Sequence, residues 1–225
     1  MPALPDATET RVEEIWRAAR ACDGRLFNGV VFSADSVSAE RIAGHWTEFR
    51  RVLAQMRRPD LATSLALRPL AVTGLLRCAD GIVLGRREAG AAYLAGQWQS
   101  VPAGSVERRG QLPHAAAERP ERPERSAPID NAPVDLAAQI TAECEEELGL
   151  AASALRVGAP LIAFEHAESG VVDVGIGLST ALDFAAVEQG WRRHGNQEYD
   201  RLALATAART VLPGTRALLL AGGEA

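Results

Sequence analysis

The chain has 225 residues, 24 Arg and no Lys against 29 Asp plus Glu, and a formal net charge of −5. That length can bury a full-sized core without staples, and the three Cys (Cys22, Cys78, Cys144) are too few and too widely spaced for a disulfide framework or a zinc ribbon. Net acidity argues against a nucleic-acid partner, and the lack of a long apolar run or a signal-type leader argues against a membrane or secreted protein, so a cytoplasmic location is expected.

Residues 1–67 read as a small α+β extension. Val12, Ile15, Trp16 and Ala19 have the spacing of an amphipathic helix over Thr8 to Ala21. Asp23-Gly24 and Asn28-Gly29 mark turns, Gly29 to Ser33 is a short strand, and a second helix is expected from about His45 to Met56, closed by Arg57, Arg58 and Pro59. From residue 68 the pattern changes. Pro69 to Leu76 and Gly81 to Arg86 are apolar runs, and Asp80-Gly81 between them signals a hairpin. Gln97 to Val101 is a further short strand. Residues 108–133 contain the Pro/Glu/Arg repeat Glu118 to Arg125, which has no apolar face and predicts a surface insertion dispensable for folding.

Asp135 to Gly149 is the clearest helix. Asp135 suits an N-cap, Gly149 suits the C′ position, and Leu136, Ile140, Cys144 and Leu148 form an apolar stripe. Two strands follow, Ala159 to Phe164 and Val171 to Leu178, then a strand over Arg201 to Ala205 and a helix near Arg216.

The helix carries Glu143, Glu146 and Glu147 within an arc of roughly 100°. Like charges so spaced cost about 0.2–0.5 kcal/mol per pair. A hard divalent cation such as Mg²⁺ or Mn²⁺ would relieve them and suits attack of water on a phosphoryl group. The competing view of the same pattern is a solvated acidic face. Trp98 could stack on a base or pack at a core rim. Arg86 and Arg87 end a strand, so only one can face a cleft, and that one is a candidate phosphate contact. His166, beside Glu165, could serve as a base or ligand, whereas His45, His114 and His194 have no partner spacing. Cys78 and Cys144 read as small buried hydrophobes.

Glu143, Cys144, Glu146, Glu147, Gly149 and Leu150 match in register the second half of the Nudix hydrolase motif, G-x5-E-x7-R-E-U-x-E-E-x-G-U, where U is a bulky aliphatic. Trp98 to Glu107 (WQSVPAGSVE) resembles the lead-in to that motif, with Gly104 as its first glycine, and Arg68 to Arg87 resembles the first hairpin of that fold. The resemblance covers roughly residues 68–205. It implies an α/β fold, a Nudix-type α/β/α sandwich with a mixed sheet over residues 68–225, in which the motif forms a loop–helix–loop. It implies a Mg²⁺-dependent diphosphatase of a nucleoside diphosphate derivative, with Glu143, Glu146 and Glu147 as catalytic metal ligands and the carbonyl near Gly104 completing the site. Arg86 or Arg87 would approach the substrate. Glu165, Glu168 and Glu198, in loops flanking strands, are candidates for the general base. The chain departs from the motif at three places: Ala142 stands where the arginine belongs, Gly110-Gln111 replaces the glycine–glutamate pair, and the insertion precedes the helix. Ala142 therefore predicts a weaker, less ordered metal site. The long N-terminal extension with Leu26 to Gly29 (LFNG), the interrupted motif and the missing arginine are similar to the UDP-sugar diphosphatase branch, which implies a UDP-sugar as first-guess substrate; a homodimer is a candidate assembly. The alternative from another class is a catalytically silent Nudix domain that binds a nucleotide ligand as a sensor.

Overall fold

A computed structural model describes residues 3–24, 26–90, 95–108, 133–196, 198–206 and 210–223. Gln111, His114 and residues 109–132 of the insertion expected over 108–133 lie outside the described residues. Two compact units emerge: Met1–Pro69 with Glu107–Val134, and Leu70–Val106 with Asp135–Ala225.

In the first unit, helix α1 (Asp6–Cys22) buries Val12, Trp16 and Ala19. Strands β1 (Val30–Val37) and β2 (Ile42–Glu48) form an antiparallel hairpin. The helix expected from His45 begins only at Phe49: α2 spans Phe49–Arg57. His45, Trp46 and Thr47 pair with Ser33, Phe32 and Val31 instead, and Trp46 and Thr47 are β-prone residues. A short helix, α3 (Ala62–Leu65), follows. Val12, Val31, Val52, Leu61 and Leu65 make the core of this unit. Arg50 and Arg51 reach Glu9 on α1 and Glu48 on β2. The stem of the expected insertion joins this unit: Glu107 bridges to Val31, and the Arg108 amide donates to the Val30 carbonyl at 2.9 Å.

The second unit is built on a seven-stranded mixed sheet. Its strands are β3 (Leu70–Cys78), β4 (Gly81–Arg87), β5 (Trp98–Ser100), β6 (Ala103–Ser105), β7 (Arg156–Glu165), β8 (Val172–Ser179) and β9 (Tyr199–Leu204). The path runs β5-β4-β3-β8-β7, with β6 also on β3 and β9 also on β4. β3 and β8 are parallel, and the other pairs are antiparallel. The hairpin expected at Asp80-Gly81 pairs only at its tip, Arg77 with Ile82 and Cys78 with Gly81. Nearer its start, β3 exchanges β4 for β6, which pairs with Ala71, Val72 and Thr73.

Helices cover both faces of this sheet. α4 (Leu136–Leu148), α5 (Phe184–His194) and α6 (Pro213–Ala221) belong to this unit. Neighbouring residues on a strand face opposite ways, so Val72 and Gly104 share one face while Thr73 and Gly175 share the other. A Cβ built on Gly104 would collide with Glu143 of α4, and one on Gly175 would collide with Leu218 of α6. α4 and α6 therefore lie on opposite faces, which is the α/β/α sandwich expected from the sequence. No helix among the described residues is long and apolar enough to cross a membrane.

α4 follows its sequence signals closely. The Asp135 side chain accepts from the Ala138 amide at 2.9 Å, and Gly149 adopts φ 65°, the left-handed conformation that favours glycine at a helix end. Ile140, Cys144 and Leu148 are fully buried. Asp135→Ala should cost about 1 kcal/mol of stability by removing the cap, seen as a lower denaturation midpoint with unchanged slope. An unchanged midpoint would show that the cap is redundant.

Candidate active site

The apolar stripe of α4 fixes where each glutamate goes. Counting 100° per residue from the centre of the Ile140–Cys144–Leu148 stripe, Glu147 lies about 60° away, Glu143 about 100° and Glu146 about 160°. Their environments follow that order: Glu147 is 2 % exposed, Glu143 is half-buried, and Glu146 is exposed. The helical arc thus runs from the core edge to solvent. Among the described residues no group of three or more His, Cys, Asp or Glu could hold a metal ion.

Two of the carboxylates instead meet the same short piece of backbone. Glu147 Oε2 accepts from the Ala103 amide at 3.1 Å. The Glu143 carboxylate occupies the space beside Gly104 that a Cβ would need. One turn earlier, Gln139 Nε2 donates both to the Ser105 carbonyl, at 2.9 Å, and to Glu143 Oε1. Residues 139, 143 and 147 thus run along one edge of α4 while 105, 104 and 103 run antiparallel to them along β6. Four helix residues rise about 6 Å and one strand residue about 3.3 Å, so the long Gln and Glu side chains absorb the mismatch.

Behind Glu147 lies a polar chain that no sequence pattern announced. The Tyr199 hydroxyl donates to Glu147 Oε2 at 2.7 Å, and Gln99 Nε2 donates to the Tyr199 oxygen at 3.3 Å. Tyr199 is 3 % exposed and Gln99 7 %. Burial raises the Glu147 carboxyl well above its ordinary range, and the charges of Glu198 and Glu143 push the same way, against the hydrogen bonds from Tyr199 and Ala103. Burial likewise raises the Tyr199 phenol, with Glu147 beside it. The Cys144 thiol is pushed up to about 12 by burial and by Glu147. It is the inert small hydrophobe the sequence suggested, and Cys78 is buried as well.

The other sequence candidates divide. Glu198 is the base candidate whose charge acts on Glu147, and Arg87 pairs with it at 2.9 Å. Glu165 ends β7 opposite Val172, and Glu168 lies exposed in the turn that follows. Arg86 forms a two-pronged pair with Asp200, at 2.7 and 3.0 Å. Both arginines are thus engaged by carboxylates at the start of β9, Glu198 just before it and Asp200 within it. Trp98 packs against the apolar cluster of Leu75, Ile82, Leu84 and Leu218, the rim position weighed above. His166 Nε2 lies 3.5 Å from Asp173 Oδ2, and Asp173 Oδ1 accepts from the Thr73 hydroxyl at 2.7 Å. This polar cluster sits on the α6 face, opposite Glu143.

Glu143 and Glu147 bring two carboxylates, the oxygen ligands that a hard divalent cation takes, to the α4–β6 junction, and the charge of Glu147, disfavoured by burial and by its neighbours, is what such an ion would offset.

No family model and no curated protein matches the chain. Solved structures similar to it do exist. They include a MutT protein from Methanosarcina mazei Go1 (18 % identity, 69 % of this chain and 94 % of that one, TM-score 0.44). A Nudix hydrolase from M. smegmatis, RenU, is 16 % identical over 70 % of this chain and 84 % of that one, with a TM-score of 0.43. The NUDIX domain of Shewanella oneidensis NrtR, solved with ADP ribose, is 9 % identical over 74 % and 97 %, also with a TM-score of 0.43.

Proposed function

We propose that the chain is a divergent Nudix-type diphosphatase that uses Mg²⁺, or Mn²⁺, to hydrolyse the diphosphate linkage of a nucleoside diphosphate derivative. The first-guess substrate is a UDP-sugar, giving UMP and a sugar 1-phosphate. The observation that carries this reading is the meeting of Glu143 and Glu147 at Ala103-Gly104, between a motif-bearing helix and the strand that resembles the motif's lead-in. Glu143 and Glu147 would hold the cation together with the carbonyl near Gly104. Exposed Glu146 would turn in as a ligand from the solvent side. A divalent cation supplies charge that offsets the charge developing on the phosphoryl oxygens.

The chain's own residues do the rest. Glu198, the base candidate whose charge acts on Glu147, would accept a proton from the attacking water. The water oxygen bonds to one phosphorus, the bridging P–O bond breaks, and the other phosphate leaves. Arg86 or Arg87 would reach a substrate phosphate by exchanging its carboxylate partner for it, an exchange of like anions that guanidinium geometry allows. The test is product analysis on a panel of UDP-sugars, ADP-ribose, dinucleotides and dNTPs, with and without Mg²⁺. Metal-dependent release of a nucleoside monophosphate from a diphosphate-linked substrate is expected. Failure to hydrolyse any member with Mg²⁺ or Mn²⁺ would remove the catalytic assignment.

A further inference from the structure

Resting on that reading, we infer that Tyr199 is a positioning residue for the metal-binding carboxylate Glu147, with Gln99 orienting Tyr199 in turn. Ala142 offers the site no charge, yet Glu147 is held at one oxygen by two neutral donors, the Tyr199 hydroxyl at 2.7 Å and the Ala103 amide at 3.1 Å. The direction of the phenol is set from behind. Gln99 Nε2 donates to the Tyr199 oxygen, so the tyrosine proton is left to point at Glu147. Tyr199, Gln99 and Glu147 are all less than a tenth exposed, so water competes little for these bonds. Both donors engage Oε2, which fixes the carboxylate plane and leaves the other oxygen as the one to present to a cation. Gln139 plays the parallel part for Glu143, tethering it to the Ser105 carbonyl. A neutral frame of a phenol and two amides thus does locally what a cation at position 142 would otherwise do, without neutralising the glutamates.

The test is Mn²⁺ binding, followed by the electron paramagnetic resonance signal of free Mn²⁺ in the absence of substrate, together with kcat and KM for a hydrolysed panel member. Tyr199→Phe keeps the ring that packs against Gly85 and removes only the hydroxyl. It should weaken Mn²⁺ binding about tenfold, or 1.4 kcal/mol, and lower kcat while leaving KM for the substrate near its wild-type value. Gln99→Met, which leaves the phenol in place but frees its orientation, should move the same quantities in the same direction by about threefold. Mn²⁺ affinity and kcat unchanged in Tyr199→Phe would overturn the inference. If that variant fails to fold, an unchanged Gln99→Met would overturn it instead. A wild-type protein that neither binds Mn²⁺ nor hydrolyses the panel would bring down the functional reading itself. Wild-type binding and turnover with unaffected variants would sink only the role of Tyr199.

Discussion

Glu147→Gln should raise the melting temperature of the metal-free protein while lowering turnover at least about a hundredfold. Glu147 is 2 % exposed, and its charged form is opposed first by burial and then by Glu198 and Glu143. Glutamine keeps the shape and keeps an acceptor oxygen for the Tyr199 hydroxyl and the Ala103 amide, but carries no charge. The gain in stability should be several degrees, since each 1 kcal/mol moves the melting point of a chain this size by about 2–4 °C. The sign with pH follows from the raised carboxyl. A group whose pKa is higher in the folded state adds stability below its unfolded value and loses it as pH rises through its folded value. The advantage of the variant should therefore be small in acid and widen towards neutral pH. Thermal denaturation in EDTA across pH checks this, and a variant less stable than wild type at neutral pH would contradict it. Divalent cation should narrow the gap by stabilising wild type alone.

Gly104→Ala should cost activity without costing the fold. The added methyl would enter space held by the Glu143 carboxylate. That carboxylate is the far end of a flexible side chain, so the glutamate moves and the β3–β6 pairing stays. Displacing a metal-binding group by about an ångström can cost on the order of a hundredfold in rate. Turnover should fall by about tenfold to a hundredfold with weakened Mn²⁺ affinity, and the melting temperature should change little. Wild-type turnover in this variant would mean that the proposed reaction does not need Glu143 held at β6.

The parts of this molecule written in short-range chemistry were legible. Asp135, the stripe of Ile140, Cys144 and Leu148, and Gly149 bounded α4 to the residue, and Asp80-Gly81 marked the tip of the β3–β4 hairpin. Segments whose fate depends on partners were not. Residues 45–48 fit a helical period, but pairing with β1 claimed them as strand. α5 has Gly190 near its centre and a single fully buried side chain, Val187, so its period is faint. The glutamate trio on α4 was visible as an arc, while the division of that arc into buried, half-buried and exposed members needed the position of the apolar stripe against the sheet. Tyr199 and Gln99 left no signal at all. Their bonds to each other and to Glu147 join residues 100 and 52 positions apart, and no spacing rule spans such distances.

The most direct test of the account is turnover of the best panel substrate as a function of free Mg²⁺, from excess EDTA to saturation, for wild type and Glu147→Gln. No turnover is expected in EDTA, with a saturable rise with Mg²⁺ in wild type and a variant that stays at least about a hundredfold lower at saturation although it is folded. Equal wild-type turnover in EDTA, or a Glu147→Gln variant that matches wild type, would contradict it.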